Sequence, residues 1–546
     1  MKSGAAFLAV ALACGVMSSL SSGCGGAEKG SEVTVATETM QQAGTEPAVS
    51  ETDTEETESK ETAMKERFQQ IELSKPLKAV TDHNPVMTQR FGADPYALVY
   101  DGRVYLYMTG DTPSYNADKT AKENTYSNIK TINVISSADL VNWTDHGTVY
   151  AADKDGAATW GGNSWAPAAA YKEIDGKMKF FLYFANSGNG IAVLTADSPV
   201  GPFTDPIGGP LISRDTPNCA EVTWLFDPAV LMDDDGRSYI YVGGGIPSPD
   251  KASDPGTARV AELGDDMISL KGDPQPIENV PYLFEDSGIN KIGDTYFYSY
   301  CSNFSMEAGA DARMGFHQGE IIVMRSDNPM GPFELVGHVL DNPQAFFGRG
   351  GNNHHCMFEF EGQWYITYHS RILEEAMGLD GGYRSTNVDR LVLTEDGTPT
   401  VSRGTKAGVD QVKALDPYET VSAVTLANAS GIKTKQYGEA AEKSGSGDMI
   451  LCGIADGSWT AVYGADFGTA QASAIEFSVR GTGEGAIRVS LDTLAGEVVS
   501  YVPVENPGAD FTTIRADLAS VPEGTHNIFF TFAGSGYEVE SWKFVK

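Results

Sequence analysis

Five stretches of the chain share one pattern of polar and apolar positions. Each has a tight turn carrying glycine, followed by a run in which aromatic and aliphatic side chains alternate. They read YDGRVYLYMTGD from Tyr100, EIDGKMKFFLYFANS from Glu173, DDDGRSYIYVGGG from Asp233, KIGDTYFYSYCSN from Lys291 and FEGQWYITYHSR from Phe360. Asp-Gly between apolar runs signals a hairpin, because glycine takes the positive φ that tight turns demand. The turn glycines Gly102, Gly176, Gly236, Gly293 and Gly362 stand 57 to 74 residues apart. A second phrase follows several of them: SSADLVNWTDHG from Ser136, ADSPVGPFTDP from Ala196 and SDNPMGPFELVG from Ser326. A unit of about four strands repeated at this interval predicts a propeller, and five hairpins predict five blades. A β-sandwich accounts less well for the regular spacing.

Beyond about residue 416 the texture changes. GSWTAVYGADFG, AIEFSVRGTGEGAIRVSLDTLAGEVVSYVPV and GTHNIFFTFAGSGYEVESWKFVK predict short strands separated by turns, the pattern of a β-sandwich. The expected fold class is therefore all-β, with a five-bladed propeller over residues 71–415 and a jelly-roll sandwich over 416–546. ALDPYETV around Asp416 is the junction. The 546-residue length suits two domains.

The N-terminus reads as an export signal over residues 1–24. Lys2 precedes an apolar stretch, AAFLAVALACGVMSSL, and SSGC at Ser21–Cys24 resembles a bacterial lipoprotein signal in which Cys24 is acylated. An ordinary cleaved secretory signal is the competing reading. Residues 25–70, rich in Thr, Ser and Glu, are expected to be a disordered acidic linker that holds an extracellular protein away from a lipid anchor. Net charge is −35, much of it in this tail, which argues against nucleic acid or an anionic membrane surface as partner. A neutral partner fits better. Cys219, Cys301, Cys356 and Cys452 form no CxxC pair, so metal clusters are disfavoured. One disulfide is permitted without being assigned, and oligomeric state is not readable.

A propeller gathers strand ends around one axis, so its chemistry is expected from acidic residues at matching places in different blades. Asp94 in RFGADPYALVY, Asp227 in WLFDPAVLMDDDG and Glu285 in YLFEDSGINKIGD precede their turn glycines by 8, 9 and 8 residues. That agreement of phase predicts that all three face the same way. Two stand in Asp-Pro steps, where proline fixes the backbone entering the strand. Glycoside hydrolysis uses one carboxylic acid on the leaving oxygen and one carboxylate on water or the sugar. A third raises the acid's pKa by like-charge repulsion. Trp160, Trp165 and Trp224, with Phe284 alongside, are either sugar platforms or ordinary core.

These residues also carry a resemblance. ADPYALVYDGRVYLYMTGD, WAP, FDPAVLMDDDGRSYIYVGG, FEDSGINKIGDTYFYSYCSNF and GNNHHCMFEFEGQWYITYH resemble glycoside hydrolase family 43 over about residues 75–415. The resemblance implies an inverting hydrolase without a cofactor for its chemistry. It makes Asp94 the general base, Glu285 the general acid and Asp227 the group that tunes and orients the acid. Asp286, directly after Glu285, departs from the small residue many relatives carry. In GNNHHC the resemblance places His354 near the axis, where a water-mediated cation such as calcium is one reading and a core hydrogen bond the other. His355 is the lesser choice, since neighbours in a strand face opposite ways. Arg384 resembles the arginine that touches the sugar, with a surface salt bridge as its competitor. The implied substrate is hemicellulose, first the α-L-arabinofuranosyl branches of arabinoxylan. β-Xylosides, or endo-action on xylan or arabinan, are the alternatives within the family, and a non-catalytic glycan-binding lipoprotein is the alternative of another class. The C-terminal part resembles carbohydrate-binding module family 6. Cys452 and Phe511 stand near places where such modules often carry tyrosine and tryptophan, and Trp459 and Trp542 are either core or ligand platform.

Overall fold

A computed structural model of the protein describes residues 62–438, 448–469, 471–520 and 522–546. The export signal, Cys24 and the acidic stretch to residue 61 lie outside the described residues. Residues 62–70, expected as the end of a disordered linker, form a helix instead. Phe68 explains the difference. It is buried with Ala486 and Ala533 of the sandwich, with Met64, Ile71 and Tyr501 packed around them. This apolar contact offsets the cost of ordering a polar stretch. Among the described residues, no helix is long and apolar enough to cross a membrane.

The five predicted hairpins each open one antiparallel sheet. Blade 1 comprises β1 (Ala93–Tyr100), β2 (Arg103–Thr109), β3 (Thr131–Ser137) and β4 (Trp143–Tyr150). Blade 2 comprises β5 (Trp165–Ile174), β6 (Lys177–Ala185), β7 (Gly190–Ala196) and β8 (Ile212–Ser213). Blade 3 comprises β9 (Ala229–Met232), β10 (Ser238–Val242), β11 (Arg259–Glu262) and β12 (Gln275–Pro276). Blade 4 comprises β13 (Leu283–Ile292), β14 (Thr295–Ser302), β15 (Ile321–Ser326) and β16 (Glu334–Leu340). Blade 5 has β17 (His355–Phe360), β18 (Gln363–Ser370) and β19 (Ser385–Arg390).

The innermost strands β1, β5, β9, β13 and β17 touch in a closed ring, β17 returning to β1. The segment just before β1 secures the closure along β19. Val86 N–H donates to the Thr386 carbonyl and Gly92 N–H to that of Arg384, both at 3.0 Å. Asn84 donates to the Val388 carbonyl at 3.0 Å and accepts its N–H at 2.9 Å. Three of the hairpin turns, Asp101-Gly102, Asp175-Gly176 and Glu361-Gly362, have positive φ at both residues. That is the turn whose twist matches its strands. The hairpins lie at the far ends of the inner strands from Asp94 and Glu285.

The sandwich contains β20 (Val421–Ser422), β21 (Thr425–Leu426), β22 (Asn428–Ser430), β23 (Lys433–Tyr437), β24 (Asp448–Cys452) and β25 (Trp459–Asp466). It continues with β26 (Ala474–Leu491), β27 (Val498–Glu505), β28 (Gly508–Asp517) and β29 (Thr525–Val545). Short strands were expected, but β26 and β29 run for 18 and 21 residues. They pair with each other on both sides of an irregularity between Gly481 and Glu484. There a Cβ on Gly483 would meet the Ser535 carbonyl oxygen at 1.8 Å, so the close approach of the two backbones requires glycine. On its other edge β26 pairs with β28 before this irregularity and with β27 after it. The two domains share strands as well: β21 pairs with β4 as a fifth strand of blade 1. Cys219, Cys301, Cys356 and Cys452 are all free, so the permitted disulfide does not form among them.

Candidate active site

The inner strands begin with a repeated irregularity. In β1, Ala93 pairs with Thr109 and Tyr96 with Tyr107, so Asp94 and Pro95 together face one partner residue. Asp94 takes φ +47°. The same extra residue occurs in β5 around Ala166 (φ +42°) and in β13 around Asp286 (φ +70°). In blade 3, Gly243 N–H donates to the Phe226 carbonyl while Ala229 pairs with Tyr241. This puts Asp227 (φ +50°) at the equivalent place. Such bulges re-aim a side chain, and their positive φ is tolerated by Asp better than by most residues.

This register corrects the expectation from phase. The residue equivalent to Asp94 and Asp227 is Asp286; Glu285 stands one place earlier, paired with Cys301 as Ala93 is with Thr109. Counting back from the glycine missed the difference because the glycine is second in the two-residue turn of blade 1, Asp101-Gly102, and first in that of blade 4, Gly293-Asp294.

The carboxylates nevertheless converge. Asp94 Oδ1 accepts from Arg384 Nη1 at 2.8 Å and lies 3.1 Å from His369 Nδ1. His354 Nδ1 lies 3.7 Å from Asp94 Oδ1 and 3.8 Å from Asp227 Oδ2. Asp227 Oδ2 also accepts the Asp286 backbone N–H at 2.9 Å. All are buried: Asp94, Asp227, Glu285 and Asp286 are 5, 4, 8 and 0 % exposed. Burial alone would raise the Asp94 carboxyl, but Arg384, the His369 contact and His354 outweigh it and hold the group far below the usual carboxylate range. Burial, then the Asp227 and Asp94 charges, push Glu285 well above its ordinary value. Its Oε1 has no hydrogen-bond partner, while the Asn352 side chain bonds the carboxyl. Asp227 is raised by burial and by Asp94, but the Asp286 N–H favours its charged form.

Arg384 is buried, which excludes a surface salt bridge. Besides Asp94 it binds Asp111 through Nε at 3.0 Å and Nη2 at 2.9 Å, and its guanidinium lies 4.7 Å from the Tyr126 ring centroid. Trp165 Nε1 donates to the Tyr126 carbonyl at 3.0 Å, and the two rings meet edge to face. Trp224 is half-buried, edge-on to Phe226 and Phe284, and Phe284 extends the row to the exposed Phe304. Trp160 instead packs against the core between blades 1 and 2 and donates to Asp205 at 2.8 Å.

Asp111, Tyr126, Asn352 and His369 were missed from sequence. Two of them had a signal. Asp111 ends the repeated phrase YLYMTGD, and His369 ends YITYH, where the second strand of a hairpin returns to the carboxylate end.

Both histidines of GNNHHC engage one acid, contrary to the expectation that one would face away. His355 Nδ1 lies 2.6 Å from Asp286 Oδ2, and His354 Nε2 lies 3.1 Å from Oδ1. His354 precedes β17, so strand alternation does not govern it. Asp94, Asp227 and Asp286 all face its ring, which fills the space among them. Calcium takes six to eight oxygen ligands at about 2.3–2.6 Å. His354 offers only ring nitrogens, so a calcium ion near the axis would be reached from it through water and not by direct ligation.

In the sandwich, Trp459 and Trp542 are buried and belong to the core. Arg480 covers the rings of Tyr437 and Phe511, at 5.2 and 4.7 Å from their centroids.

Comparison with known proteins agrees with this architecture. Residues 83–399 match the model for glycosyl hydrolases family 43, and residues 422–546 that for carbohydrate binding module family 6. The chain is 46% identical to an arabinoxylan arabinofuranohydrolase of Paenibacillus polymyxa, covering 86% of this chain and 76% of that protein. It is 44% identical to an arabinoxylan arabinofuranohydrolase of Bacillus subtilis, covering 86% and 93%. A crystal structure of a family 43 arabinoxylan arabinofuranohydrolase from Bacillus subtilis, in complex with cellotetraose, superposes with a TM-score of 0.82 at 43% identity, covering 86% of this chain and 99% of that one. With five blades, a buried cluster of carboxylates and these relatives, the protein belongs to glycosyl hydrolases family 43 and carries a family 6 carbohydrate binding module.

Proposed function

We propose that this glycosidase removes α-L-arabinofuranosyl branches from arabinoxylan with inversion of configuration. The opposite displacement of two carboxyl groups in one buried cluster carries the reading: Arg384 and two histidines draw Asp94 down, while burial and the Asp227 and Asp94 charges push Glu285 up. Asp94, as general base, takes a proton from water as the oxygen attacks the anomeric carbon. Glu285, as general acid, gives its proton to the glycosidic oxygen as that bond breaks. Asp227 repels negative charge on Glu285 and so favours its acid form. Trp165, and the row formed by Trp224 and Phe284, supply apolar edges for the sugar and the xylan chain. The substrate follows from the two relatives above 40% identity, both arabinoxylan arabinofuranohydrolases. Cys24 is the proposed lipid attachment that keeps the enzyme at the cell surface, and Cys24→Ala is expected to release it to the medium.

The test is hydrolysis of paired aryl α-L-arabinofuranoside and β-D-xyloside substrates, with NMR of the first-formed anomer. Faster arabinofuranoside turnover with inverted product is expected. A preference for xyloside overturns the substrate, retention overturns the mechanism, and no turnover of either supports a binding protein. Asp94→Asn is expected to lower kcat by a factor on the order of a thousand or more.

A further inference from the structure

Glu374 is a buried carboxylate that takes no part in the chemistry described above. It lies in the helix Ile372–Ala376 and is fully shielded from solvent. Its Oε1 accepts three successive backbone N–H groups, from Gly381 at 2.6 Å, Gly382 at 2.5 Å and Tyr383 at 3.1 Å. Among the described residues its Oε2 has no hydrogen-bond partner, with Arg349 Nη1 3.8 Å away. A buried carboxylate needs donors that compensate for lost water, and here all three donors belong to one turn.

The residue after that turn is Arg384, which grips Asp111 and Asp94. The turn is also tied to the loop that carries Asp111 and Tyr126. Asn124 N–H donates to the Gly381 carbonyl at 2.7 Å. Ser114 N–H donates to Tyr383 Oη at 3.1 Å, and that hydroxyl donates to the Lys122 carbonyl at 2.9 Å.

We infer that Glu374 is a positioning residue for hydrolysis: it anchors the 381–383 turn and thereby holds Arg384 against Asp94 and Asp111. The inference rests on Asp94 acting as the base. Asp94 is faced by Arg384, His369 and His354 and by the carboxylates of Asp227, Glu285 and Asp286. Of these, Arg384 is the group that follows the clasped turn. Loosening it weakens the attraction that keeps Asp94 charged, so the acid limb of kcat/KM moves to higher pH.

The full-length Glu374→Ala and Glu374→Gln variants test this with an aryl α-L-arabinofuranoside. Each is followed by its pH profile, its melting temperature and hydrogen exchange of the 381–383 amides. Glu374→Ala is expected to lose about tenfold or more in kcat/KM, since small displacements of catalytic groups cost that much. Its acid limb is expected to rise and the three amides to exchange faster. Glu374→Gln keeps an acceptor oxygen without the charge, so the same changes are expected at smaller size. A folded variant with wild-type acid limb and wild-type amide protection overturns the inference; if Glu374→Ala does not fold, Glu374→Gln decides by the same two readouts. Undiminished turnover by Asp94→Asn would instead overturn the base assignment, while amide exchange still reports on the clasp.

Discussion

At the scale of single residues, the site places two chemically similar carboxyl groups in opposite electrostatic surroundings. Both Asp94 and Glu285 are buried, so burial pushes both upward. Arg384 and two histidines reverse the shift at Asp94, whereas Glu285 has only carboxylates and the Asn352 amide close by among the causes of its shift. With Asp94 as the proposed base and Glu285 as the proposed acid, activity is expected to persist below the ordinary carboxylate range and to fall only well above the usual glutamate value. Glu285→Gln removes the proton donor but not the base. It is expected to lose about a thousandfold on arabinoxylan and far less on an aryl arabinofuranoside with an acidic phenol, which leaves without protonation. Equal losses on the two substrates would show that Glu285 is not the acid. Asp94 and Asp227 were legible because each stands in an Asp-Pro step. Arg384 was legible only by resemblance, and its pairing with Asp111 not at all, because 273 residues separate the two.

At the scale of elements, the bulge matters more than the hairpin. Turn glycines mark the blades, but the direction of each acid depends on where the extra residue enters the strand. The bulge lies equally far from the turn in blades 1 and 4, but the turn glycine comes first in Gly293-Asp294 and second in Asp101-Gly102, which is why the count placed Glu285 where Asp286 stands. A second element decides how the domains join. Asp145 in β4 is buried and pairs with Arg90, accepts from Gln89 at 3.3 Å and from Gly147 N–H at 2.8 Å, and accepts from Thr434 of β23 at 2.7 Å. Burial raises its carboxyl, but Arg90 and these donors together hold it below the usual value. Its contribution is therefore present above the unfolded carboxyl value of about 4 and fades as pH falls through the lower folded value. Asp145→Ala is expected to cost about 3 kcal/mol in urea unfolding at neutral pH, because it strands a partly buried charge. The gap from wild type should narrow below about pH 4. A gap independent of pH would remove the electrostatic explanation.

At the scale of the whole molecule, the propeller and the sandwich are built into each other. Val141 of the propeller shares a buried cluster with Ala427, Trp459, Ala461, Tyr463 and Phe529. Asn142 donates to the Tyr463 carbonyl and accepts its N–H, both at 2.8 Å. Trp459 Nε1 donates to the Ser74 carbonyl at 2.9 Å, so the segment before the propeller also lies on the sandwich. Separation would expose this apolar surface and leave β4 as an open edge. The full chain is expected to melt in one calorimetric transition. A chain ending at residue 415 should melt several degrees lower and aggregate more readily. Two separate transitions, or an unchanged melting temperature after truncation, would show independent domains.

The sequence by itself determined the blade number, the hairpins, the all-β class and the first acids of the site. These depend on alternation and turn chemistry, which act over a few residues. Tertiary structure alone decided that Asp286 holds both histidines, that Arg384 joins Asp94 to Asp111, and that Phe68 orders the end of an acidic stretch. Each of these depends on residues far apart in the chain that meet only when the ring of blades closes, where burial strengthens the fields between them.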